Sequence, residues 1–299
     1  MQNIRSRSKL KQARAFFENG QLAEARAVCE QVCRTDKINA EAWLMLGMLN
    51  KALGLAGEAI GALEKATALH PKDASAQNEK GLLLVQAGRH QEAIDAFQLA
   101  LHDAPDPATV WVNIGVVHGL MGQHALALQA FDQALRRNPR AAAAQVQRSA
   151  LLGMMGRHDE ALDAAERALR LAPNDLEANI RHSEALVGLE RCAEALAAYR
   201  AVLAIAPDHF PTQRRVVEIC RKAVVHSPTA AHYELLQRAY AWRQVDFQDI
   251  ASFAAVVFKA RPGFPDALET LPGAEGQPFE LRLASLRQFA AEHRLYFEG

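Results

Sequence analysis

The sequence has little of several features that mark common protein classes. Of its 299 residues only four are cysteine and 6% are aromatic, and its formal net charge is zero. Four scattered cysteines are too few for a disulfide framework and fit a reducing compartment. A balanced charge argues against a general nucleic-acid-binding protein, which needs a basic surface. No run approaches the roughly 18 apolar residues of a membrane helix, and the basic N-terminus lacks the apolar core of a signal peptide. We therefore expect a cytoplasmic protein that binds neither nucleic acid nor membranes.

The short motifs that carry catalytic or metal-binding chemistry are also missing. The chain contains no H-E-x-x-H, no paired C-x-x-C, no G-x-S-x-G and no Walker-type phosphate loop. Its aspartates and glutamates fall on predicted helix surfaces without visible pairing. We therefore expect no enzymatic activity, no catalytic residue, no metal site and no cofactor.

What the sequence does contain is an internal repeat of 34 residues. Prolines, glycines and alanines each recur with this step, which is very unlikely by chance. The recurring residues are Pro71, Pro105, Pro139, Pro173 and Pro207; Gly54, Gly88, Gly122 and Gly156; and Ala59, Ala93, Ala127, Ala161 and Ala195.

The unit from residue 40 to residue 73 shows how each repeat is expected to fold. Its apolar residues predict two amphipathic helices, with Gly54 between them as a left-handed cap. Pro71 follows the second helix, which proline cannot continue. Gly47 is small because the helices cross there with little space, whereas Leu63 is large and fills the gap between units. One such hairpin cannot bury its apolar face alone, so neighbouring hairpins must stack.

These residues resemble the tetratricopeptide repeat. The matching positions in one unit are Trp43, Leu46, Gly47, Ala59, Leu63, Ala66 and Pro71, and in another Trp111, Ile114, Gly115, Ala127, Phe131, Ala134 and Pro139. The match covers residues 40–209 as five units, and residues 6–39 fit it more loosely. The resemblance implies an all-α fold, a right-handed α-solenoid of stacked helix-turn-helix units with an irregular helical C-terminal end.

The regular pattern stops after Pro207, so the chain is expected to have four parts. These are an N-terminal divergent repeat or cap at 1–39, five regular units at 40–209, degenerate repeat helices at 210–264, and a loop with a C-terminal capping helix at 265–299. Helices are predicted at 212–226, 229–243, 247–260 and about 279–294. Aromatic residues are concentrated from Phe210 onward, which favours a larger core at the end of the solenoid. A separate docking surface or the remnant of a lost domain would explain them too.

The resemblance also implies a function and a surface for it. In this family the first helix of each unit lines a concave groove that usually holds an extended or helical peptide. The groove here is mostly apolar, and it lacks the basic residues with which some members grip a C-terminal carboxylate. We therefore expect the groove to bind an apolar or amphipathic segment of a protein or peptide partner. The side-chain amides of Asn78 and Asn113 could form hydrogen bonds to the backbone of that segment. The candidate groove residues are Leu44, Met48, Asn78, Leu82, Val85, Val112, Asn113, Val116, Val146 and Ala150, and further outward positions are Lys51, Met154, Ile180, Glu184 and Val187.

Histidines and cysteines offer two alternative sites. His90, His124 and His158 recur every 34 residues, but one histidine per unit places them about 10 Å apart, too far to share a zinc ion. Packing or surface roles are favoured. Cys29 and Cys33 lie on one face of a predicted helix. A two-thiolate metal or redox site is conceivable there, but buried small apolar side chains are favoured.

A possible basic patch follows the last regular unit. Arg214, Arg215, Arg221 and Lys222 are spaced by seven along one side of a predicted helix. They could bind an acidic partner or a phosphate, although a solvated helix face is favoured.

Two other functions remain open. The chain could be the recognition arm of a bacterial glycosyltransferase or sulfotransferase system whose catalytic domain another chain supplies, since similar repeat arrays are fused to such domains. It could also self-associate through its apolar strip into a structural assembly.

Overall fold

The computed structural model describes residues 2–222, and within that range the chain forms thirteen α-helices and no strand. The prediction of an all-α helical repeat fold is therefore confirmed. The helices are α1 (Gln2–Glu18), α2 (Leu22–Thr35), α3 (Ala40–Ala52), α4 (Ala56–Leu69), α5 (Ala74–Gln86), α6 (His90–Ala100), α7 (Pro107–Leu120), α8 (His124–Arg137), α9 (Ala142–Met154), α10 (His158–Leu171), α11 (Leu176–Gly188), α12 (Cys192–Ile205) and α13 (Phe210–Lys222).

The last described helix, α13, begins two residues before the start predicted at residue 212. The helices predicted at 229–243, 247–260 and 279–294, and the loop at 265–278, lie outside the described residues.

The turn inside each hairpin has a left-handed residue, as the glycine ladder predicts. After that residue, the chain closes a six-residue loop; for example, the Leu55 amide donates to the Asn50 carbonyl at 2.8 Å. At the sixth such turn the glycine is replaced by Glu190, which nevertheless has φ = 59°. The repeat therefore imposes this conformation even on a residue with a Cβ atom. The glycines with positive φ are Gly20, Gly54, Gly88, Gly122 and Gly156.

A side chain near the start of four of the described helices, α3, α5, α11 and α13, bonds to the turn that precedes the helix. The Nε2 of Gln77 donates to the Pro71 carbonyl at 2.8 Å, six residues earlier. The indole of Trp43 makes the equivalent bond to the Lys37 carbonyl at 2.9 Å. Because a proline carbonyl at the end of a helix has no intrahelical donor, this side chain supplies one. The same bond recurs from Asn179 to Pro173 and from Gln213 to Pro207.

The two helices of a hairpin touch where the first helix has a glycine. A Cβ atom added to Gly81 would lie 2.5 Å from the Phe97 ring, and one added to Gly47 would lie 2.7 Å from Leu63. Phe97 and Leu63 are themselves fully buried. The glycine therefore lets the large side chain of the second helix rest directly on the backbone of the first.

The chain divides into two compact units between Met155 and Gly156. In the first unit, α1 to α9 pack consecutively, and α3, α5, α7 and α9 also contact one another in that order. Its core is made of buried aliphatic and aromatic side chains between hairpins, such as Leu83, Leu84, Phe97 and Ile114. In the second unit, α10, α11, α12 and α13 pack consecutively.

The glycine contact predicts opposite effects for one substitution at two sites. We expect Gly81→Ala to lower the free energy of unfolding by about 1–3 kcal/mol, because its methyl group would overlap the buried Phe97 ring. The matched control is Gly61→Ala in α4, where an added Cβ has no atom within 4 Å. That change should raise stability by about 0.4–1 kcal/mol, since alanine favours helix. Urea unfolding followed by circular dichroism measures both, and equal effects would contradict the packing argument.

The left-handed Glu190 predicts a stabilising substitution. Glu190→Gly should raise the free energy of unfolding by about 0.5–1 kcal/mol, because relief of the Cβ strain exceeds the entropy that glycine adds to the unfolded chain. Glu190→Ala removes the same carboxylate but keeps the Cβ atom, so it should give no such gain. Thermal unfolding of the three proteins would separate the two effects, and similar gains from alanine and glycine would show that the backbone is not strained.

Candidate functional site

The candidate surface lies on the first helices of the hairpins in the first unit. Two side-chain bonds join neighbouring members of this layer. The Nζ atom of Lys51 on α3 lies 2.7 Å from Oε2 of Glu79 on α5. The Nδ2 of Asn113 on α7 donates to Oδ1 of Asn78 on α5 at 3.1 Å. These bonds place the four residues on the side where successive first helices meet.

Eight of the ten predicted groove residues, all except Val85 and Asn113, recur at matching positions on the four helices. On each helix they follow a four-residue step, which keeps them on one face. We call these eight residues, together with Leu120 and Met154 that continue the same step, the first-helix stripe. It consists of Leu44 and Met48 on α3; Asn78 and Leu82 on α5; Val112, Val116 and Leu120 on α7; and Val146, Ala150 and Met154 on α9.

The ten predicted residues differ in how far they reach solvent. Met48 is the most accessible of them, with 41% of its surface exposed, whereas Val146 is buried at 5%. The other eight are half-buried. Part of their surface is used in packing: Leu44, Leu82 and Val85 contact the core around Phe97, and Val112 and Val116 contact the core around Phe131.

The stripe includes a residue that the sequence analysis missed. Leu120, the last residue of α7, is 59% exposed, and Met154, the last residue of α9, is 76% exposed. The four-residue step from Val112 through Val116 leads to Leu120, and Met154 stands one repeat after it. Continuing that step to the end of the helix would have identified Leu120.

The stripe carries no charged side chain. Lys51, which follows Met48 by three residues on α3, is paired with Glu79 of α5. The Asn113–Asn78 bond uses one N–H of Asn113 and the carbonyl oxygen of Asn78, which leaves the Asn113 oxygen as an acceptor and the Asn78 amide NH2 group as a donor. The surface is thus apolar, with hydrogen-bonding amide groups at its centre.

The cysteine pair on α2 is buried. Cys29 and Cys33 are both free thiols, and burial raises the pKa of each to about 12. At neutral pH both thiols are therefore protonated, which disfavours nucleophilic attack and metal ligation. The structure agrees with the small-apolar interpretation of this pair.

The repeating histidines occupy equivalent, half-buried positions. His90, His124 and His158 each begin a second helix and are half-buried, with a buried Nδ1 that has no hydrogen-bond partner in the described residues. A Cβ atom on Gly188 would collide with the His158 ring, so the glycine makes room for that ring. Among residues 2–222, no group of three or more His, Cys, Asp and Glu side chains is arranged to hold a metal ion.

The predicted basic patch lies on α13. Arg214 and Arg215 both pair with Glu218, at 3.6 and 2.9 Å, so part of their charge is neutralised within the helix. Arg221 and Lys222 are the last two residues of the helix.

None of the thirteen described helices is both long enough and apolar enough to cross a membrane.

Solved structures with a similar fold support the assignment of an all-α helical repeat fold to this chain. PilW, described as a widely conserved type IV pilus biogenesis factor, has a TM-score of 0.64 at 20% identity, covering 71% of this chain and 98% of PilW. PilF of Pseudomonas aeruginosa has a TM-score of 0.61 at 18% identity, covering 73% and 99%. A tetratricopeptide repeat protein of Parabacteroides merdae has a TM-score of 0.62 at 16% identity, covering 84% and 98%. At such identities these structures establish the fold.

Comparison with curated proteins finds no match. Tetratricopeptide repeat models, in contrast, match residues 10–63, 51–108, 106–174 and 154–218, which together span more than half of the chain. This repeat supports a protein–protein interaction scaffold in general, a role that is usually non-catalytic. The chain belongs to the tetratricopeptide repeat family.

Proposed function

We propose that the first unit binds an apolar or amphipathic segment of a partner protein along the first-helix stripe. The observation that supports this most directly is the exposure of Met48 on α3, Leu120 on α7 and Met154 on α9, all in the first-helix stripe. Large apolar side chains that recur on one face of a soluble domain commonly mark a site of interaction.

Covering these side chains supplies the driving force. Leu120 and Met154 are each more than half exposed, so burying the remainder of each side chain contributes about 1–2 kcal/mol. The half-buried Leu82 and Val116 add contact area without having to move, because they are already packed against the core. A preformed surface of this kind loses little entropy when a ligand docks.

Asn78 and Asn113 provide hydrogen-bonding groups that orient the bound segment. The hydrogen bond between them holds the Asn113 side-chain carbonyl and the Asn78 amide NH2 group in fixed positions next to Leu82 and Val116. These groups match the N–H and C=O of a peptide backbone. A segment laid along the stripe can therefore keep its backbone hydrogen-bonded while its apolar side chains are buried, which avoids the cost of unpaired polar groups.

The charges of the surface favour an uncharged stretch of ligand. Lys51 is held by Glu79 at 2.7 Å, and the stripe offers no other cation to a carboxylate. A terminal carboxylate placed on the stripe would lose its hydration without gaining a partner. We therefore favour an internal segment of the partner over its C-terminus.

The test uses the two most exposed residues of the stripe. Leu82 and Val116 contact the core, so arginine there would also disturb folding. Leu120→Arg with Met154→Arg should instead leave the fold intact and lower affinity at least about tenfold, because an apolar ligand would have to cover two charges. Peptides selected from a random display library against the wild-type protein serve as ligands, and fluorescence anisotropy measures their dissociation constants.

The matched control carries the same changes on second helices. Leu99 on α6 and Leu126 on α8 are 51% and 44% exposed, so Leu99→Arg with Leu126→Arg adds equal charge elsewhere. The control should bind like the wild type. If both double variants bound the peptides with unchanged affinity, the stripe would not be the binding surface. If the wild type formed dimers in light scattering and the stripe variant did not, the ligand would be a second copy of the chain.

A further inference from the structure

A cavity of about 570 Å³ lies in the first unit between α2, α3 and α4. Trp43 and Leu46 line it from α3, roughly 150° around the helix axis from Leu44 and Met48 of the stripe. It is therefore a separate site. Its volume falls in the range of about 300–1,000 Å³ that is usual for ligand pockets.

The wall of the cavity combines an aromatic ring with cations. The Trp43 ring is held in place because its Nε1 donates to the Lys37 carbonyl at 2.9 Å. The Nζ atom of Lys65 lies 4.3 Å from the centre of the same ring, within the range of a cation–π contact. Leu46 and Leu69 add apolar surface, and Arg34 and Lys37 add positive charge.

The positive charge of the cavity is only partly neutralised. One carboxylate, that of Glu30, lines it, and this group is shared between Arg26 at 3.1 Å and Arg34 at 3.3 Å. Lys37 and Lys65 have no carboxylate within ion-pair distance among the residues that the structure describes. The cavity therefore attracts an anion, although the chain as a whole has zero formal charge.

We propose that this cavity binds an acidic side chain of a partner protein together with an adjacent apolar side chain. An apolar ligand alone would leave Lys37 and Lys65 uncompensated, and a small inorganic anion would leave the partly exposed side chains of Trp43 and Leu69 in contact with water. A carboxylate directed at the two lysines, with a large apolar side chain against Trp43, satisfies both parts of the wall. In a protein-interaction scaffold, we expect the carboxylate and the apolar group to belong to a segment of a partner protein.

The probe is a blocked peptide, acetyl-Asp-Glu-Phe-Asp-Glu-amide, with acetyl-Asn-Gln-Phe-Asn-Gln-amide as its uncharged counterpart. Isothermal titration calorimetry of the full chain should show saturable binding of the acidic peptide. Affinity for the uncharged peptide should be at least about tenfold weaker, and affinity for the acidic peptide should fall with added salt. Equal binding of the two peptides, or no saturable binding of the acidic one, would overturn the proposal.

Charge-neutralising variants test whether the acidic peptide binds in this cavity. Lys37→Gln with Lys65→Gln should weaken binding of the acidic peptide about tenfold. Lys72→Gln with Arg137→Gln removes two exposed cations that do not line the cavity and should leave binding unchanged, as should the Leu120→Arg, Met154→Arg protein. Circular dichroism confirms that each variant is folded.

One outcome would contradict binding in this cavity, and another would contradict a protein segment as its ligand. Wild-type affinity in the Lys37→Gln, Lys65→Gln protein would place the peptide elsewhere. Octanoate has the same combination of carboxylate and apolar chain without a peptide, and tighter binding of octanoate than of the peptide would reassign the cavity to small amphiphilic acids.

Discussion

The close contact between a glycine on the first helix and a large side chain on the second determines how three successive hairpins of this protein, α3–α4, α5–α6 and α7–α8, are built. At Gly81 the missing Cβ atom leaves space for the Phe97 ring, and at Gly47 it leaves space for Leu63. The two helices can then approach until the small residues Ala59 and Ala93 are completely buried. Phe97 also belongs to the same buried cluster as Val110 and Ile114 of the following hairpin, so this core joins each hairpin to its neighbour.

This arrangement determines which surfaces are left for partners. A first helix such as α3 uses one face for the core, which places Trp43 and Leu46 in a cavity next to α2 and α4. Its other face carries Leu44 and Met48 in the first-helix stripe. The repeat presents the stripe once per hairpin, so a long apolar ligand can contact several helices. The cavity, in contrast, depends on Arg34, Lys37 and Lys65, which belong to one place in the chain.

Much of the fold could be predicted from the sequence, since the 34-residue step of prolines and glycines identified the hairpins and their turns. Glu190 shows how strong that step is, because it takes the left-handed conformation without being glycine. The candidate surface was predicted less completely. The helix face was identified, but Val146 is buried and Leu120, which was not predicted, is one of the most exposed apolar residues of the stripe. The solvent exposure of a side chain depends on how neighbouring helices cross. That crossing cannot be predicted from the apolar periodicity of a single helix.

The sequence by itself determined the positions of helices and turns, because these depend on interactions within a few residues: the glycine that accepts positive φ, the proline that ends a helix, and the apolar period. Only the tertiary structure decided how polar groups are paired. Asn78 bonds to Asn113, 35 residues later in the chain, and Lys51 pairs with Glu79, 28 residues later. The cavity beside Trp43 likewise needs side chains from three helices. Such pairings depend on the crossing geometry of stacked hairpins, and the stacking brings together residues that no local rule connects.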